Sequence, residues 1–154
     1  MPSKTSISFI SRIMKTESYI PILENAGIRP TSTRLLVYDA ICRISDTFSL
    51  TSLENELPSI DKSVIFRTLS LFHERRLIHS VDDGSGLHKF CLCHNRGHCS
   101  AEEAHCHFYC EKCRKTYCLN EDSIPPVRIP EGFTAHEVNY IVKGVCAECA
   151  KKIE

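Results

Sequence analysis

The chain has 154 residues, 42% of them hydrophobic and 25% charged, with 19 basic and 19 acidic side chains that cancel to zero net charge. That length accommodates one domain or two small ones. No apolar run is long enough to span a bilayer, and without bulk basicity any nucleic-acid contact must rest on a local face.

Residues 1–17 read as an N-terminal extension. Serines and Arg12 interrupt its apolar residues, which does not fit a signal peptide, and a cytoplasmic location is expected. Lys4, Arg12 and Lys15 precede any acidic group, which suits an arm that touches DNA. Residues 18–27 predict a short helix with Gly27 as its stop. A second helix opens at Pro30-Thr31 and runs through TSTRLLVYDAICRI, with apolar positions at helical spacing. A third begins near Thr51, where Thr51-Ser52-Leu53-Glu54 fits a capping box, and Pro58 ends it. Asp61 is a good N-cap for a fourth helix. Ile65, Leu69 and Phe72 form its expected buried stripe, leaving Ser63, Phe66, Arg67, Ser70 and Glu74 on the opposite face.

A hairpin follows: LIHSV (77–81) alternates, DDGSG (82–86) turns and LHKFCLC (87–93) returns. Helices followed by such a hairpin match a winged helix-turn-helix over residues 1–93. Residues 94–104 read as a linker. Residues 105–154 read as a small metal-dependent unit, with strands at HCHFYC, KTYCL and VNYIVKGVC. The expected class is α+β.

Ten cysteines occur, nine of them after residue 90, and five histidines share that stretch. In a reducing compartment, clustered thiols read as metal ligands or redox groups rather than disulfides. Cys110-x-x-Cys113 and Cys146-x-x-Cys149 form two knuckles that together complete a tetrahedral thiolate set, selective for zinc or iron–sulfur. Neither lies in a βαβ pattern, which disfavours a thioredoxin-like pair. A second set is less sharply defined. His105 and His107 share a strand face. His79, Cys91, Cys93 and Cys118 are further candidates, and imidazole with thiolate suits zinc better than ferrous iron.

The chain resembles the ferric uptake regulator family. GIRPTSTR (27–34) is similar to the opening of that family's second helix, and SVIFRTL (63–69) to its recognition-helix signature. HCHFYCEKC (105–113) is similar to its His-x-His-x-x-Cys-x-x-Cys segment, and GVCAEC (144–149) to its C-terminal knuckle. The resemblance implies a repressor with a winged helix-turn-helix DNA-binding domain and a zinc-stapled α/β dimerisation domain. Cys110, Cys113, Cys146 and Cys149 would hold structural zinc. The zinc-sensing type implies a regulatory zinc on His79, Cys93, His105 and His107, with Cys91 and Cys118 as alternates. Iron- and peroxide-sensing members carry carboxylates where Cys91 and Cys118 stand.

Arg67, Ser63 and Phe66 would enter the major groove. Phe66 replaces the usual tyrosine and retains only apolar contact with a thymine methyl. Arg29, Thr31, Arg34 and Lys62 would contact phosphates. A homodimer would read a palindromic double-stranded operator. Cys42, Cys99 and Cys106 have no assigned part, although Cys99 and Cys106 with His94 and His98 could take a second ion or heme. The alternatives are an iron-, heme- or redox/peroxide-sensing regulator of the same family and a zinc-stapled protein-interaction module. A zinc enzyme is not expected, since no His-Glu-x-x-His signature occurs.

Overall fold

The computed structural model describes residues 15–92, 106–119, 124, 126–136 and 138–152. The helical half begins with α1 (Ile20–Asn25), α2 (Ser32–Cys42), a two-residue strand β1 (Phe48–Ser49), α3 (Leu50–Glu56) and α4 (Lys62–Glu74). The hairpin strands β2 (Ile78–Val81) and β3 (Lys89–Leu92) follow. The second half holds β4 (Cys106–Cys110), β5 (Thr116–Leu119), β6 (Tyr140–Gly144) and a short α5 (Ala147–Lys151).

Local chemistry explains most of the helix boundaries. Gly27 adopts φ +71, open to glycine at little steric cost, and it lets the Ile28 N–H return to the Leu23 carbonyl at 2.8 Å. That closes α1 as a glycine stop should. The Thr31 side chain accepts the Arg34 N–H and opens α2. Asp61 accepts the Ser63 N–H at 2.8 Å and opens α4. The expected α4 stripe is present: Ile65, Leu69 and Phe72 are buried. Each such side chain contributes roughly 1.5–3 kcal/mol on burial. They pack with Leu23, Ile28, Val37, Ile41 and Leu53 into one core under the wing.

The third helix differs from the sequence expectation. It starts at Leu50, and its capping box is Ser49 with Ser52 rather than Thr51 with Glu54. The Ser52 N–H donates to Ser49 Oγ, and the Ser49 N–H donates to Ser52 Oγ at 2.8 Å. Ser49 is available for this because β1 holds it extended against β3, with Phe48 opposite Phe90 and Ser49 opposite Lys89. A long-range strand pairing thereby sets the helix start.

The first sheet has the order β1-β3-β2, all antiparallel. Successive side chains of a strand face opposite sides. Phe90 joins the helical core, while its neighbours Lys89 and Cys91 are buried on the other face. The second sheet has the order β5-β4-β6. β5 runs antiparallel to β4, and β6 runs parallel to it, pairing Cys106 with Tyr140 and Cys110 with Gly144. A parallel pair needs the chain to return between its strands, and β5 makes that return: Leu119 at its end and Tyr140 at the start of β6 both lie beside Cys106.

Candidate functional site

The knuckles form where strands end. The Cys110 N–H donates to the Lys115 carbonyl, and the Arg114 N–H returns to the Cys110 carbonyl at 2.8 Å. Arg114 turns the chain with φ +61. This loop carries Cys113 beside Cys110, and the parallel β6 delivers Cys146 alongside. Cys146 is also the N-cap of α5, which places Cys149 one turn on. The four sulfurs lie within 4.8 Å of one another.

Several observations test whether this set fits a metal. A tetrahedral zinc with bonds of about 2.3 Å holds its sulfurs roughly 3.8 Å apart. The Cys113 and Cys146 sulfurs are separated by 3.8 Å. The backbone N–H groups of Cys113 and Cys146 point at Cys110 Sγ, at 3.5 and 3.3 Å, and pull its thiol down to about 6. The Tyr117 hydroxyl, donating to Cys146, lowers that thiol too. Burial and the neighbouring sulfurs push Cys149 up to about 12. Two thiols are thus biased to ionise, and a divalent cation would deprotonate the remainder. The donor set fits a structural zinc.

The second group lies on the seam between the two sheets. His79 on β2 sits directly opposite Cys91 on β3, so both side chains project from the same face. His107 on β4 meets them from the other sheet, its ring centroid 5.6 Å from that of His79. Donor atoms of His79, Cys91 and His107 all lie within 4.8 Å of one another. His79 Nε2 and both ring nitrogens of His107 are shielded from solvent. The donors are soft or borderline, with no carboxylate among them, a set that fits zinc better than ferrous iron. Cys118 pairs with His107 across β5 and β4 but is not part of this group. Cys93 and His105 lie outside the described residues, as do the whole expected linker 94–104, with Cys99, His94 and His98, and residues 1–14 of the expected N-terminal extension. Cys42 and Cys106 belong to neither cluster.

The candidate DNA face is the outer side of α4. Lys62, Ser63, Phe66 and Arg67 are exposed, with Phe66 57% accessible. Arg67 Nε donates to the Ser63 carbonyl at 3.3 Å, and Lys62 pairs with Glu54 at 3.2 Å. At the start of α2, Arg34 donates to the Arg29 carbonyl at 2.8 Å beside the exposed cap Thr31. The structure thus places these four α4 side chains on one surface and Arg29, Thr31 and Arg34 together at the start of α2.

Sequence reasoning missed Asp83, Lys89 and Thr116, three buried polar residues on the same seam. The available signal was parity: Lys89 lies two residues from Cys91, on the face that looks away from the core.

Among curated proteins none matches the chain in sequence. Solved structures do match in fold. A zinc uptake regulator complexed with zinc and DNA is 16% identical, with a TM-score of 0.64 over 92% of this chain and 97% of that one. A holo structure of XcZur is 19% identical, with a TM-score of 0.60 over 87% of this chain and 98% of that one. The Vibrio cholerae ferric uptake regulator is 16% identical, with a TM-score of 0.56 over 82% of this chain and 98% of that one. At these identities the likeness is one of fold. The model of the ferric uptake regulator family, however, matches residues 25–142, from the end of α1 into β6. A winged helix-turn-helix, a four-cysteine cluster and that match together establish that the chain belongs to the ferric uptake regulator family of metal-sensing transcription regulators.

Proposed function

We propose that the protein is a zinc-responsive repressor that binds palindromic operators as a homodimer when its second metal site is filled. The observation that carries this reading is the seam cluster: His79 and Cys91 come from the wing, His107 from the second sheet, and their donor atoms fall within 4.8 Å. An ion held there ties the DNA-binding half (1–93) to the metal-binding half (105–154). A fourth donor from Cys93 or His105 would close the tetrahedron. The ion's preference for one orientation of the two halves is then a coupling free energy, about 1–3 kcal/mol in typical systems, and it works equally in both directions.

The family relative solved with zinc and DNA together supports the same reading. So does the exposed outer face of α4, where Arg67 suits a guanine edge and Phe66 a thymine methyl. Arg29, Thr31, Arg34 and Lys62 would set register through phosphates. Dimerisation fits the edge position of β6, with exposed Val142 on it and exposed Val127, Ile129, Phe133 and Val145 nearby in sequence. The iron- or peroxide-sensing alternative finds less support, since the described seam donors include no carboxylate oxygen.

The test is operator affinity measured with one zinc per chain and then with zinc in excess, beside ferrous iron, for wild type, Cys91→Ser and His107→Ala. Excess zinc is expected to tighten wild-type binding about tenfold or more and to leave both variants unchanged. Equal wild-type affinity with and without the second zinc would sink the reading. A response to iron alone would move the protein to the iron-sensing class.

A further inference from the structure

Next to the candidate ligands the seam holds a second, purely organic connection. Lys89 Nζ lies 2.6 Å from Asp83 Oδ2, 3.1 Å from Thr116 Oγ1 and 3.0 Å from the Arg114 carbonyl. The Thr116 hydroxyl donates to Asp83 Oδ2. The other Asp83 oxygen accepts the Ser85 N–H at 2.9 Å. Asp83, Lys89 and Thr116 are only 1%, 7% and 2% exposed. An ammonium has three N–H donors, and all three have acceptors here. Two of the side chains belong to the wing, and the third acceptor is the backbone of the loop that carries Cys113. The Arg114 N–H meanwhile binds the Cys110 carbonyl. Lys89 therefore grips the structural metal knuckle directly.

The neighbouring contacts run the same way. Thr47 Oγ1 donates to the Thr116 carbonyl at 3.0 Å, and Asn139 Nδ2 donates to the Asp82 carbonyl at 2.8 Å. The turn glycine Gly84 comes so close to β6 that an added Cβ would meet Lys143 Nζ at 2.7 Å. Each contact joins the helical half to the metal-binding half.

Strand register links this group to the candidate metal site. Lys89 precedes Cys91 by two residues on β3. Thr116 precedes Cys118 by two on β5, and Cys118 lies opposite His107. Two residues along a strand span about 7 Å, so the polar group forms the row beside the ligand row. A buried charge without its partners is costly, which makes such a group a device for orientation rather than for raw stability. In this arrangement each donor of the Lys89 ammonium has an acceptor.

We propose that Asp83, Lys89 and Thr116 form a positioning latch that holds the wing against the second sheet in the orientation where His79 and Cys91 meet His107. The latch rests on the regulatory reading above for its consequence, and on the seam geometry alone for its existence. It lets the structural knuckle, once folded, prearrange the second site.

The test uses the full chain with its structural zinc, as wild type, Thr116→Val and Thr116→Ser. Valine keeps the shape and removes the hydroxyl, whereas serine keeps the hydroxyl. Three quantities are read: zinc per chain after gel filtration, second-zinc affinity against a competing chelator, and amide exchange over residues 82–89 and 114–118. Thr116→Val is expected to retain the structural zinc, to bind the second zinc about tenfold more weakly, and to exchange faster in both segments. Thr116→Ser should restore both properties. Wild-type affinity and exchange in Thr116→Val would overturn the latch, as would a serine variant as impaired as valine. If wild type takes up no second zinc, the regulatory reading fails. Amide exchange then judges the latch alone: faster in valine and restored in serine supports it, and unchanged exchange rejects it.

Discussion

At the scale of single residues, the seam turns on how a carboxylate survives burial. Burial by itself would push the Asp83 carboxyl up, but hydrogen bonds from Lys89, Ser85 and Thr116 outweigh it and hold the group well below the usual carboxylate range. A carboxyl with a depressed folded pKa contributes stability that is complete above its unfolded value, about 4, and is lost as pH falls toward the folded value. Asp83→Asn leaves Lys89 buried without its counter-charge, which costs about 3–5 kcal/mol at neutral pH. The stability gap between wild type and Asp83→Asn, measured by urea unfolding, should therefore be widest at pH 7 and shrink below about pH 4. Both proteins lose thiolate-bound metal on acidification, so the difference between them is the readout. A gap that stays constant between pH 7 and pH 3 would show that the carboxylate charge is not what the seam uses. In the sequence Asp83 looks like an ordinary turn residue in DDGSG, and Lys89 like a surface charge. The partners that bury them, Thr116 and the Arg114 carbonyl, lie more than twenty residues away, beyond the reach of any local pattern. Cys91 and Cys93 share a strand face for the same reason that His105 and His107 do, so alternation alone could not say which thiol meets His79.

At the scale of elements, what was legible follows from how local the cause is. The α4 stripe, its Asp61 cap and the hairpin depend on residues within a few positions of one another, and all are present. The start of α3 depends on β1, a two-residue strand defined by Phe90 some forty residues later. Three hydroxyl residues, Ser49, Thr51 and Ser52, each offer a plausible cap, and only the strand pairing selects Ser49. Similarly, the parallel pairing of β4 with β6 cannot be read from either strand alone. The α3 finding makes a discriminating prediction. Ser49→Ala should cost about 1 kcal/mol, whereas Thr51→Ala, at an exposed position outside the box, should stay within about 0.5 kcal/mol. Equilibrium urea unfolding of both variants checks it, and a larger loss for Thr51→Ala would return the box to its sequence-expected place.

For the molecule as a whole, the two metal clusters differ in what they require. The four-cysteine set is built within one half: β4, its knuckle loop, β6 and α5 all belong to the small second unit. Among the described residues of that unit the buried side chains are Cys110, Cys149, His107 and Thr116, so metal binding there is folding energy. The seam cluster instead draws its candidate donors from both halves and exists only while they are docked. A graded chelator titration should therefore proceed in two steps. The seam ion leaves first and reversibly, operator affinity falls with it, and far-UV circular dichroism stays constant. The four-thiolate ion leaves second, and the strand signal of the metal-binding half collapses as it goes. Released zinc, operator binding and circular dichroism followed on the same samples separate the steps. Loss of both ions in one transition, or unfolding before operator release, would mean that one cluster serves both purposes and that docking and folding in this chain are a single event.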